Sequence, residues 1–249
     1  KYRLVGSEMC IRDSSRSASK AQISFTINTT ANTSSLTLSA GLVCIGASES
    51  STITFSIPSS ITSTVVNGVA TFNNIDVYQG TFLRKQFLVD GSLDQRFLLD
   101  NSFIDSSTIV VKVTGPNETT LGREYSRADN ILNIDSTSEI YLIQEVQDEK
   151  YELLFGDGYF GKKLENGSTI TATYIITDGK SGNGSANFSY AGRVLDSDNN
   201  PVVPTNNILI TTNQAAANGG DIESIDSIKY FAPRICLLYT SDAADEADG

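Results

Sequence analysis

A mainly β fold, antiparallel and sandwich-like, with Gly-rich turns and one short C-terminal helix, is what this sequence predicts. Three observations lead there. Apolar residues alternate with polar ones over most of the chain, which places them on one face of a pleated ribbon. The spacers are rich in Gly, Asn, Asp, Ser and Thr, the residues of turns. Runs with helical spacing are rare.

The strands follow in order. "AQISFTIN" puts Ile23, Phe25 and Ile27 on one side, and "STITFSIP" does the same with Ile53, Phe55 and Ile57 before Pro58 ends the pairing. "NGVATFNNIDVYQG" opens with a turn at Asn67-Gly68 and continues through Val69, Thr71, Ile75 and Val77. "TFLRKQFLVDGSLDQRFLLDN" reads as a hairpin closed at Asp90-Gly91, a favoured turn dipeptide. "STIVVKVTGPNETT" is a strand stopped by Gly115-Pro116. "SEIYLIQEV" and "KYELLF" flank Gln147-Asp148-Glu149 and form a second hairpin. "STITATYIIT", packing Ile170, Ala172, Tyr174 and Ile176, is expected to lie antiparallel to "KYELLF" across a Gly-rich loop. A Gly/Ser turn and short strand come next, then a loop over 196–205 with two prolines, then "NNILITTNQAAANGG" as a strand and small-residue linker. "GGDIESIDSIKYFAPR" predicts the helix: Asp221 as N-cap, Glu223 in the first turn, Ile222, Ile225 and Ile228 along one side, and Pro233 at its end.

The two ends do not share this character. "EMCIRDS" can be encoded by GAGATGTGTATAAGAGACAG, and "CLLYTS", with the base before it, by CTGTCTCTTATACACATCT. The reverse complement of the second lies inside the first. Unrelated protein segments have no physical reason to encode an inverted repeat, and this one resembles the mosaic end of a transposase sequencing adapter. Residues 1–14 and 236–249 are therefore set aside as translated adapter. What lies between holds no methionine and is expected to be an internal fragment of a longer protein. The expected layout is an N-terminal β region at 15–115, a second β region with the "FGDG" hairpin at 116–212, and at 213–235 a linker and the helix opening a further domain.

Composition removes several function classes. The chain has 18 basic and 29 acidic residues, a net charge of −11, and stays acidic without its ends. An acidic chain without basic runs argues against nucleic acid as a partner. No interior run reaches the roughly 20 apolar residues that a membrane helix needs. Histidine is absent, which removes His-based triads and His metal ligands. Cys44, inside the apolar "GLVCIG", reads as a small buried hydrophobe. Only Cys44 survives between the ends, so no internal disulfide framework is expected.

"FGDGYFGKKLENGS" is the richest local motif. One reading is a cation or phosphate loop, with Asp157 as an oxygen ligand. The other is a set of turns in which Gly156, Gly158, Gly161 and Gly167 supply backbone conformations that other residues resist. Calcium needs several oxygen ligands close in sequence, and a P-loop needs Gly-Lys followed by Ser or Thr. Here Lys163 follows Gly161-Lys162, so the turn reading is preferred, and neither cofactor nor metal is expected.

"IYLIQEVQDEKYELLFGDGYFGKKLENGSTITATYIITDG", with "NGVATFNNIDVYQGTF", "LDQRFLLDNSFIDSSTIVVKV" and "NGGDIESIDSIKYFAPR", resembles the wedge subunit of T4-like phage baseplates, within the baseplate J-like family. The resemblance runs collinearly over most of residues 21–234. It implies a non-enzymatic structural role in the virion tail, assembled in the host cytoplasm. The implied partners are other wedge subunits, a larger wedge protein among them, and a second copy of the full-length protein. Separately, the Ile222, Ile225 and Ile228 stripe of the expected helix reads as an apolar patch for a partner surface. A secreted or surface adhesin-like β-sandwich is the alternative, and a polysaccharide-active enzyme the third reading.

Overall fold

The computed structural model describes residues 16–47, 52–92, 95–119, 122–128 and 134–222. Of the expected helix over 221–231, all but Asp221 and Ile222 lies outside these residues, Ile225 and Ile228 included, as do the two adapter-like ends. What is described is mainly β, as the alternation predicted, and its strands form two sheets.

The first sheet contains β1 (Lys20–Asn28), β2 (Ser35–Leu38), β3 (Gly41–Ala47), β4 (Thr52–Ile57), β5 (Ile61–Val66) and β6 (Val69–Gln79). β1 runs antiparallel along β6, whose other edge is shared by β5 near its start and β4 near its end. Ile23, Phe25, Ile27, Phe55, Ile57 and Phe72 are buried in one core, with the Phe25 and Phe72 rings stacked 5.2 Å apart. The predicted phase of β6 changes midway. Ala70 and Phe72 face the core, then Ile75 and Val77, so two residues separate the inward sets instead of one. A bulge absorbs the extra residue: the β1–β6 register slips between Ile23 and Phe25, and Asn74 takes φ 52°.

The second sheet has the order β7-β13-β9-β10-β11-β12-β8, from β7 (Thr81–Leu88), β8 (Phe97–Leu99), β9 (Val110–Thr114), β10 (Arg123–Arg127), β11 (Ile140–Val146), β12 (Lys150–Phe155) and β13 (Thr169–Ile176). Its ladders are antiparallel except β10–β11, which is parallel at Ser126↔Ile140. The β11–β12 hairpin forms as predicted, from Tyr141↔Phe155 to Val146↔Lys150.

Two predicted pairings are replaced. β7 and β8 are not partners despite Asp90-Gly91: β7 pairs β13, and β8 pairs β12. Asp90 instead forms a local turn, its carboxylate accepting from the Ser92 N–H. β12 and β13 are not ladder neighbours either. They meet across the core, where Tyr151 and Leu153 of one share a buried cluster with Ile170, Ala172 and Tyr174 of the other.

The chain then returns to the first sheet through β14 (Phe188–Tyr190), β15 (Val194–Leu195), β16 (Pro201–Val202) and β17 (Thr211–Ala217). β16 lies within the stretch expected to be a loop and pairs with β15 just before it, and the "AAA" expected as linker belongs to β17, paired with β1. The second sheet is thus an insertion in the chain path of the first. Hydrogen bonding changes hands at Gly80, whereas the expected division at 115/116 falls just after β9, inside the second sheet.

Candidate functional site

The segment between β12 and β13 crosses from one side of the second core to the other, and its glycines allow the backbone path that the crossing takes. Gly158, Gly161 and Gly167 have φ of 96°, 81° and 84°, a region open to glycine and costly for side chains. Gly156 is needed for a different reason: a Cβ there would overlap the backbone of Gly161. The Gly158 N–H donates to the Gly161 carbonyl at 3.1 Å, closing the tip. The base is pinned from a distance, with Gly161 N–H bonded to Asp135 O at 2.9 Å and Lys162 N–H to Ser138 O at 2.8 Å. The far end is tied to β7 through Gly167 N–H and Val89 O at 2.7 Å.

Asp157 sits inside this frame as a cap. Its Oδ1 accepts from the N–H groups of Tyr159 at 2.8 Å and Phe160 at 2.9 Å. The Phe160 N–H, then that of Tyr159, holds the carboxyl below its ordinary range. The N–H groups of residues 158–162 are therefore directed at acceptors within the chain, not at an external anion, with Lys162 completing the set through Ser138. Asp135, below the loop, accepts from Thr137 and Ser138 in the same manner, and the Thr137 hydroxyl chiefly lowers its carboxyl. Among the described residues no three His, Cys, Asp or Glu side chains group as metal ligands.

What the frame holds outward is apolar. Tyr159 is 83% exposed and Phe160 63% exposed, although their backbone is fixed by Asp157. Beside them Leu142 and Leu154, cross-strand partners in the β11–β12 hairpin, are also exposed. An open cavity of about 330 Å³ lies between, lined by Ile134, Ile140, Leu142, Leu154, Phe155 and Phe160. Contiguous exposed apolar surface of this kind marks interaction sites.

The charged groups next to this surface are mutually neutralised. Arg123 pairs with Glu118 at 2.8 Å and Glu139 at 3.0 Å, and Lys162 pairs with Glu139 at 2.8 Å. Among the described residues, every carboxyl with a resolved shift is pushed down by hydrogen bonds or cations. A glycosidase acid needs the opposite, a carboxyl raised by burial or a neighbouring anion. Cys44 is fully buried, and burial pushes its thiol up to about 12, far from the thiolate that a nucleophile requires.

The residues singled out by sequence divide in two. Gly156, Asp157, Gly158 and Gly161 come together in one turn, with Gly167 at its exit. Ile222 is half-buried just beyond the Ser17↔Gly220 bridge, and Ile225 and Ile228 lie outside the described residues. Tyr159, Phe160, Leu142, Leu154 and Asp135 were not singled out. The signal available was two adjacent aromatics in a glycine frame where alternation is suspended.

Residues 81–184 match the family model for the third domain of bacteriophage baseplate wedge protein gp6. The match begins one residue after Gly80, where the second sheet begins. Over 182 residues the chain is 27% identical to the baseplate wedge protein gp6 of Enterobacteria phage T4, covering 64% of this chain and 25% of that protein. The chain therefore spans about a quarter of the length of this relative.

Proposed function

We propose that this chain, whose residues 81–184 match the family model for the third domain of baseplate wedge protein gp6, is a structural part of a contractile phage tail baseplate. It works in the virion through protein–protein contacts and not through catalysis. One observation supports this reading beyond the family match. The "FGDGYFG" turn spends its glycines and its carboxylate on holding two aromatic side chains in solvent, one of which, Phe160, borders an apolar cavity. A folded monomer gains nothing from that arrangement, whereas a partner surface gains rigid aromatic anchors. The partner is another baseplate wedge subunit, and self-association of the full-length protein belongs to the same reading. Ile222, Ile225 and Ile228 are a second contact in this proposal, with a neighbouring wedge chain.

Co-expression of a full-length version with another baseplate wedge subunit, followed by size-exclusion chromatography, tests it. The double variant Y159S/F160S keeps the Asp157 cap, since the capped groups are backbone, and is expected to weaken co-elution with its thermal midpoint unchanged. I225D addresses the second contact separately. Normal assembly by Y159S/F160S would remove the aromatic tip as a contact. A monomer that cleaves a glycan would remove the structural reading altogether.

A further inference from the structure

Four passages of the chain converge where the inserted sheet joins the first: the incoming segment at 16–19, the crossings at 79–80 and 177–182, and the outgoing segment at 218–221. Ser17 and Gly220 exchange backbone hydrogen bonds at 3.1 and 3.0 Å. The Ala18 N–H donates to the buried Asp105 carboxylate at 2.8 Å, and the Ser19 hydroxyl to Gly179 O at 2.9 Å. Thr177 donates to Gln79 between the crossings.

Arg16 stands at the centre. Its side chain is only 14% exposed, and its guanidinium touches three different segments. One nitrogen donates to Asp221 Oδ1 at 3.2 Å, and Lys180 holds the other oxygen of Asp221 at 3.1 Å. The guanidinium carbon lies 4.6 Å from the centroid of the Phe103 ring. Arg16 Nε faces Glu149 Oε2 at 3.6 Å, and both atoms are buried without a hydrogen-bond partner among the described residues.

The groups that meet Arg16 from the second sheet are strained. Phe103 has φ 66°, Glu149 φ 58° and its neighbour Asp148 φ 65°, the left-handed region that residues with a Cβ avoid. The two strained segments are joined by the Ser102 hydroxyl, which donates to Asp148 O at 2.9 Å. Such backbone persists only where surrounding contacts impose it. The charge of Arg16 attracts Glu149, its planar face covers Phe103, and its opposite edge is anchored at the outgoing segment.

We propose that Arg16 is a conformational latch: it holds the β11–β12 turn in its left-handed form and couples that turn to the incoming and outgoing segments of the chain. The Nε–Oε2 separation exceeds a hydrogen bond by about 0.7 Å, so a sub-ångström shift of Arg16 toward Glu149 closes it into one. A displacement imposed on residues 16 or 221 by flanking protein is then read at residues 147–150. The latch requires no particular partner and acts apart from the aromatic tip.

Amide hydrogen exchange on the whole chain tests it. Arg16→Gln keeps length and polarity but removes the charge, and is expected to speed exchange at residues 147–151 and 102–105 roughly tenfold. The β1–β6 ladder should be unaffected. Glu149→Gln, which leaves the packing in place, should speed exchange in the same two segments, and high salt should do so in the parent chain but not in R16Q. Unchanged exchange at 147–151 in both variants, or a uniform rise over both sheets, overturns the latch.

Discussion

Gly156 lies against Gly161 so closely that a β-carbon on the first would enter the backbone of the second. The contact lets the chain leave β12 and turn sharply under its own tip, where the Gly156↔Lys163 bridge forms. Gly156→Ala should therefore cost about 1–3 kcal/mol through overpacking, since backbone cannot rotate aside as a side chain can. Gly158→Val tests a different term. The nearest atom to its Cβ is Lys163 Cβ at 3.6 Å, so space is open and only the φ of 96° opposes the substitution. A loss on the order of 1 kcal/mol in chemical denaturation is expected. An unchanged midpoint in G158V would mean the turn is not strained.

Acid stability should depend on Glu152 and Arg96. The guanidinium grips the carboxylate with two hydrogen bonds, Nε to Oε1 at 2.7 Å and a terminal nitrogen to Oε2 at 2.6 Å. Glu152 is buried, and the Arg96 hydrogen bonds hold its carboxyl below the ordinary range. A folded-state pKa below the unfolded value near 4.3 stabilises above that value and is lost as pH falls through the folded pKa. Arg96→Gln should move the acid-unfolding midpoint, followed by circular dichroism, to higher pH. An unchanged acid midpoint in R96Q would mean that Arg96, itself largely exposed, contributes nothing through Glu152.

Cys44 gives a thiol readout of global opening. It is fully buried on β3, in the cluster with Phe55 and Val43, and its thiol is pushed up to about 12 by burial. With Cys10 and Cys236 replaced by serine, a thiol reagent should label the native chain at the rate of unfolding and no faster. Rapid labelling at neutral pH would show that the first core opens locally.

Strand identity was legible because alternation is local, and strand pairing was not because it is decided by distant residues. Ile23, Phe25 and Ile27, or Ile170, Ala172 and Tyr174, declare an inward face from neighbours two positions away. The β11–β12 pairing was also readable, its three-residue connection leaving little choice of partner. Asp90-Gly91 misled because the same dipeptide serves a local Asx turn, here reinforced by the Gln95 side chain bonding to Asp90 N and Leu88 O. In the candidate site the glycines marked the turn. Asp135, whose carbonyl anchors Gly161, sits 26 positions upstream and shows nothing in its own sequence that announces the contact. The resemblance read from the hairpin and loop agrees with the family match over residues 81–184.

The bulge in β6 supplies the last prediction. Sequence gave no warning at Asn73-Asn74 other than a change of parity between Phe72 and Ile75. Asn74 adopts φ 52°, which Asn tolerates better than most residues with a Cβ. Its N–H donates to the Ser24 hydroxyl at 3.0 Å, and its side-chain oxygen accepts from Asn213 at 2.6 Å, tying β6 to β1 and β17 together. Asn74→Ala keeps the backbone donor but faces the left-handed penalty without the side-chain bond, a loss of about 1–2 kcal/mol. Asn74→Gly loses the same bond yet occupies that φ freely, so its loss should be the smaller of the two. Paired denaturation curves for the two variants decide the matter. If glycine is as damaging as alanine, the Asn213 hydrogen bond alone holds the bulge and the backbone conformation contributes nothing.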